Sequence, residues 1–145
     1  MAGQMAPREN PVPRASWLTL AGVTLITTLN GLWVALTPVG SQTELQGRTW
    51  EQFAALDPEV AAIYSMDLAM LGVALAAFSA LGMVVAAIPY RRGERWAWFA
   101  SWLVPLLYAG MAFRMLVDQY DVGYMYLGLL VVSSVGMVIP IRRFV

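Results

Sequence analysis

The chain has 145 residues, 59% hydrophobic and 12% charged, with nine basic and nine acidic side chains and no net charge. A soluble domain carries roughly twice that charged fraction, so these charges are too few to cover a water-facing surface, and the neutral balance offers nucleic acid no electrostatic footprint. Cysteine and histidine are both absent, which removes disulfides, thiol redox chemistry, the usual haem, copper and zinc ligands, and the commonest general base. No cofactor is expected.

Residues 1–16 are polar and carry Pro7, Pro11 and Pro13 with Arg8 and Arg14, the composition of a short disordered tail. Four apolar runs follow, over residues 17–37, 60–89, 96–117 and 122–141. Each meets the roughly 20 residues needed to cross a ~30 Å hydrocarbon layer. The first is too long for a signal-peptide core, and no clean Ala-x-Ala site follows it. Pro38 and Gly40 close it; Asp57-Pro58 opens the second, with Asp57 as N-cap and Pro58 at the first helical position. Pro89 and Pro140 fall near the ends of the second and fourth runs, and Pro105, inside the third, predicts a kink. In the first connection, Thr49 and Gln52 match a capping box, and Trp50, Phe53 and Leu56 recur at helical spacing. That pattern fits a short amphipathic helix at the membrane interface, or equally a loop with anchoring aromatics.

Arginine placement gives an orientation. Arg8, Arg14, Arg91, Arg92, Arg95, Arg142 and Arg143 share one side under an even number of crossings, whereas the other side has Arg48 beside Glu44, Glu51, Asp57, Glu59, Asp118 and Asp121. By the positive-inside rule the first side is cytoplasmic. The expectation is an all-α bundle of four transmembrane helices in the cell (inner) membrane, both termini cytoplasmic, with a short amphipathic helix in the first outer loop. The arginine loop at 91–95 is a topology signal that can also attract anionic lipid headgroups. Trp96 and Trp98 suit an inner aromatic belt, with Trp17 in the same role on the first helix.

Three polar residues lie at costly depths. Asn30 stands ~10 Å below the outer boundary, Asp67 ~12 Å and Arg114 ~9 Å, counted at 1.5 Å per residue from Thr37, Glu59 and Tyr120. A charge at the bilayer centre costs about 2.5–3.5 kcal/mol on insertion scales, so Asp67 and Arg114 read as an ion pair, with Asp118 a second partner for Arg114. Tyr64, Tyr124 and Tyr126 carry hydroxyls able to complete the cluster. Such a cluster is either a clamp that fixes helix register or a site for a ligand or ion. Thr24, Thr27, Thr28 and Gly31 form a small polar face on the first helix, and Gly72, Ala76 and Ala80 a small-residue series on the second; both suit close helix packing. Met66, Met70, Met111 and Met115 lie near the cluster, where gap-filling is a simpler role than metal binding.

The segment Tyr90-Arg91-Arg92-Gly93-Glu94-Arg95-Trp96-Ala97-Trp98, with the Asp67-bearing helix before it, resembles a pattern in small bacterial four-helix membrane proteins of unknown function, and the general plan is similar to DoxX-like proteins. The likeness covers about the last two-thirds of the chain and implies fold and membrane location, with no activity or catalytic residue. Three functions stay open. The first is a non-catalytic accessory or structural component, partnered by membrane lipids, a second copy or a larger complex. The second is a binder or transporter of a small molecule, lipid or ion, using Asn30, Tyr64, Asp67, Arg114, Asp118, Tyr124 and Tyr126. The third is a lipid-modifying enzyme with Asp67 or Tyr64 as its acid–base group.

Overall fold

In a computed structural model the described residues are 12–37, 44–45, 48–117 and 122–144, with the backbone alone described at 44, 45, 48 and 122. They form helix α1 (Arg14–Leu36), a two-residue ladder of β1 (Glu44–Leu45) and β2 (Arg48–Thr49), α2 (Trp50–Leu56), α3 (Pro58–Val85), a π-helix (Ala86–Tyr90), α4 (Arg95–Ser101), α5 (Leu103–Val117), α6 (Val122–Val138) and α7 (Ile141–Phe144). Apart from the ladder, which pairs Glu44 with Thr49 and Leu45 with Arg48 antiparallel, the fold is helical. Three stretches, Arg14–Leu36, Pro58–Tyr90 and Arg95–Val117, are long and apolar enough to cross a membrane, as in a multi-pass membrane protein. The fourth apolar helix, Gly123–Val138, is shorter.

The local signals form as their chemistry requires. The Thr49 hydroxyl accepts from Gln52 N–H at 3.4 Å, and Gln52 Oε1 accepts from Thr49 N–H at 3.1 Å, closing the capping box of α2. At the start of α3, Asp57 Oδ1 accepts from Val60 N–H at 3.1 Å, satisfying one of the amides that a helix start leaves free. Helix α1 begins at Arg14, inside the stretch expected to be a free tail, and Val12 ahead of it is buried and donates its N–H to Arg91 O at 3.2 Å. Burial of Val12 and this backbone bond tie down residues that charge and proline content mark as polar. Residues 1–11 lie outside the described residues.

The chain divides into two compact units, residues 1–24 with 81–145, and residues 25–80; α1 and α3 each run through both. In the 25–80 unit, α1 and α3 meet backbone to backbone. A Cβ built on Gly31 would stand 2.6 Å from Ala76 N, and one on Gly72 would stand 2.4 Å from Ala35 N and 2.7 Å from Gly31 O. Gly31 and Ala35 on one helix thus face Gly72 and Ala76 on the other, the paired small residues that allow apolar helices to approach without a hydrophobic driving force. Trp50 of α2 stacks near Tyr64 of α3, with ring centroids 5.9 Å apart, and near Phe53 at 5.8 Å.

The other unit has two buried clusters. One joins Val12, Leu20, Ala86, Tyr90, Ala97, Trp98, Met137 and Phe144; the second joins Val23, Val104, Tyr108, Ala112 and Tyr126. The helical stretch that begins with α3 does not stop at Pro89. The chain runs on through a π-turn to Arg92, and Gly93, at φ +84°, ends it with a Schellman pair: Glu94 N–H to Pro89 O at 3.1 Å and Gly93 N–H to Tyr90 O at 2.9 Å. The i→i+5 bonding of a π-turn passes over the donor that Pro89 lacks. Pro105 acts as expected of an interior proline. Ser101, four residues before it, is the last residue of α4, and the chain turns at Trp102 before α5 resumes.

The Gly31–Gly72 crossing makes a sharp contrast between two glycines. Gly72→Ala forces a methyl against the α1 backbone and is expected to destabilise by about 1–3 kcal/mol. Gly22→Ala, with nothing within 4 Å of the new methyl, is expected to be neutral or mildly stabilising. Thermal melts of the two variants in one detergent check this.

Candidate functional site

The residues expected to form a polar cluster fall in both units. In the 25–80 unit, Asn30 is half-buried on α1, while Tyr64 and Asp67 are exposed one turn apart on α3. The Tyr64 ring lies beside Trp50. Asp67 sits among exposed Ile63, Met66, Met70 and Leu71. In the other unit, Arg114 stands exposed in the last turn of α5 and has an interaction partner, Tyr124 is exposed on α6, and Tyr126 is buried with Tyr108 in the second core, both with partners of their own. Asp118 lies outside the described residues. Spacing along α6 explains the split of the tyrosines, since residues two apart point about 200° away from each other on a helix. Met111 and Met115 pack on the second core as gap-fillers, whereas Met66 and Met70 are exposed.

A second polar arrangement lies where the end of α6 meets the turn that follows the π-helix. Pro140 has no N–H, so the Gly136 carbonyl four residues earlier loses its helical donor, and Met137 O faces the turn at 139–140. Two buried side chains fill these places. Tyr90 Oη donates to Gly136 O at 3.0 Å, and Trp98 Nε1 donates to Met137 O at 3.2 Å. Phe144 of α7 lies between the two donors, its ring centroid 5.9 Å from Tyr90 and 5.6 Å from Trp98, both stacked. Trp102 closes on Trp98 edge-on at 5.9 Å. Trp98 is therefore core and not interfacial belt: it is 6% exposed, against 55% for Trp96. The belt expectation fails for Trp98 because its indole N–H is needed on the backbone of α6.

Two arginines pack beside this aromatic clasp. Arg91 lies over the Trp17 ring, with its guanidinium carbon 5.1 Å from the centroid, a cation–π contact. The Arg143 guanidinium packs on Gly93, where a Cβ would be 3.3 Å from its Nε. Glu94 accepts from Trp96 Nε1. The residues of the clasp that the sequence does not flag, Tyr90 and Phe144, have no charge to mark them. The one available signal is Pro140, whose position implies an orphaned carbonyl at Gly136.

Other polar side chains bond to their own helices: Thr24 Oγ1 to Leu20 O at 2.8 Å, Thr19 Oγ1 to Ala15 O at 2.7 Å, Thr37 Oγ1 to Trp33 O at 2.7 Å, and Ser133 Oγ to Leu130 O at 3.0 Å. Ser16 Oγ is fully buried without a partner among the described residues. Among the same residues no group of three or more His, Cys, Asp or Glu is placed to hold a metal ion.

Tyr90→Phe leaves the buried Gly136 carbonyl without a donor and is expected to destabilise by about 1–3 kcal/mol. Tyr124→Phe, on an exposed ring, is expected to change stability by less than about 0.5 kcal/mol. Chemical or thermal unfolding in detergent measures both.

Comparison with protein-family models, with characterised proteins and with solved structures finds no match.

Proposed function

We propose that this chain is a non-catalytic accessory or structural component of the cell (inner) membrane, crossing it four times with both termini in the cytoplasm. Helix α6 has 17 residues, about 26 Å at 1.5 Å per residue, near the lower limit for a crossing. The arginines at 91–95 and 142–143 then lie on the cytoplasmic side. Small bacterial four-helix proteins of DoxX-like plan fit the same description.

The observation that carries the reading is Asp67. It is exposed on the stretch Pro58–Tyr90, surrounded by apolar side chains. A carboxylate facing hydrocarbon is costly, whereas another membrane-embedded chain bringing a donor or a cation removes that cost. The uses described for interior hydroxyls and indoles, on the chain's own backbone, support a structural role in the same direction. A second reading, a binder of a small molecule, lipid or ion, draws on the exposure of Tyr64 and Asp67 one turn apart, with Trp50 beside Tyr64.

Asp67→Asn separates the two. Because the side chain is exposed, the purified variant is expected to melt within about 0.5 kcal/mol of wild type. Extracted in native lipid discs, wild type is expected to run larger than a single chain and Asp67→Asn to shift toward one chain. Wild type running as a single chain overturns the accessory reading. A ligand-induced rise in Tm that Asp67→Asn abolishes, with the assembly size unchanged, establishes the second.

A further inference from the structure

The end of the second apolar stretch carries a cleft that neither the aromatic clasp nor Asp67 uses. It is about 400 Å³ in volume and is lined by Ala87, Ile88, Arg91 and Arg92. These positions follow the i, i+1, i+4, i+5 pattern of one helix face, while Ala86 before them and Tyr90 between the two pairs turn inward and are buried. The cleft therefore opens on the outside of the helix. Its two halves differ in chemistry: methyl and methylene groups of Ala87 and Ile88 belong to the last turn of an apolar stretch of 33 residues, and two guanidinium groups follow immediately. An apolar half meeting a doubly cationic half at the end of a membrane-length helix matches the boundary between acyl chain and headgroup.

We propose that this cleft is a binding site for an anionic phospholipid, with the phosphate held by Arg91 and Arg92 and the glycerol and upper acyl chain resting on Ala87 and Ile88. Arginine suits the task because its planar fork meets phosphate oxygens in a bidentate fashion. Arg91 is already oriented by the Trp17 ring at 5.1 Å, so less conformational freedom is lost on binding. The surrounding field favours an anion. Arg95, Arg142 and Arg143 share this end of the unit with Arg91 and Arg92, and the one glutamate among residues 90–96, Glu94, is engaged by Trp96 Nε1. Phe144, stacked on Tyr90 and Trp98, anchors the short helix that brings Arg142 and Arg143 there.

Native mass spectrometry from nanodiscs of equal phosphatidylglycerol and phosphatidylcholine reads the site. Wild type is expected to retain phosphatidylglycerol preferentially. Arg91→Gln with Arg92→Gln is expected to reduce that preference by about fivefold or more, whereas Arg95→Gln with Arg142→Gln, an equal loss of charge outside the cleft, is expected to keep most of it. The charge-preserving Arg91→Lys with Arg92→Lys, which keeps the topology signal, is expected to fall between them because the fork geometry is lost. Equal loss in the cleft and control pairs, or no preference in wild type, overturns the proposal in favour of diffuse attraction. Displacement of the retained lipid by millimolar inorganic phosphate, with a matching rise in Tm, also overturns it, since the ligand is then a soluble phosphate.

Discussion

Inside a bilayer no water is available to satisfy a peptide group, and a proline in a crossing helix removes a donor that something else must replace. Pro89 and Pro105 lie in stretches long and apolar enough to cross a membrane and face that constraint. Pro140, past the end of α6, also takes a donor from its own helix, and each loss is met in a different way. At Pro89 the helix shifts into π bonding and passes over the missing donor. At Pro105 the helix is interrupted at Trp102 and begins again. At Pro140 a side chain from elsewhere in the unit comes in, Tyr90 donating to the carbonyl of Gly136, and beside it Trp98 donates to that of Met137. The last solution has the widest reach. It fixes the turn after α3 and the start of α4 against the end of α6, and it leaves between the two rings the slot that Phe144 fills. The short helix with the C-terminal arginines is thus anchored on the two rings whose donors cap the end of α6.

The 25–80 unit is held by a different force. Apolar side chains gain nothing by leaving lipid for protein, so close contact has to come from van der Waals packing of small residues. Gly31 and Ala35 against Gly72 and Ala76 supply it at distances that admit no Cβ on either glycine. Asp67 lies about 140° around α3 from Gly72, at 100° per residue. The stripe that packs α3 on α1 is therefore also what turns this acid outward, and Ile63, Met66, Met70 and Leu71 are exposed along with it.

Much of this architecture is written locally. Run length marks the crossing helices because hydrocarbon thickness sets it, and the caps at Thr49 and Asp57 follow from side-chain chemistry within four residues. The facing of each helix is harder to read. Where a helix is apolar all round, composition does not separate the side that meets protein from the side that meets lipid. The sequence thus places Trp98 with Trp96 in a belt, and Tyr124 with Tyr126 in a cluster, although one of each pair is buried and the other exposed. Charge draws the eye to Asp67 and Arg114, whereas the clasp at the end of α6 is built from a tyrosine, a tryptophan and a phenylalanine that have no charge at all. Equal depth along separate helices gives a level but no azimuth, and it is azimuth that decides which polar groups meet.

The dependence of Tyr90 on Pro140 also has a historical side. A tyrosine hydroxyl that serves a proline-orphaned carbonyl is under selection only while the proline is there, and the proline is tolerated only while the hydroxyl is in reach. The two residues are thus coupled through one carbonyl, although 50 positions separate them along the chain. Lineages that restore an ordinary amide at position 140 release position 90 to vary, and with it the ring against which Phe144 rests. A change at either position therefore falls on a bond that joins two distant parts of the chain.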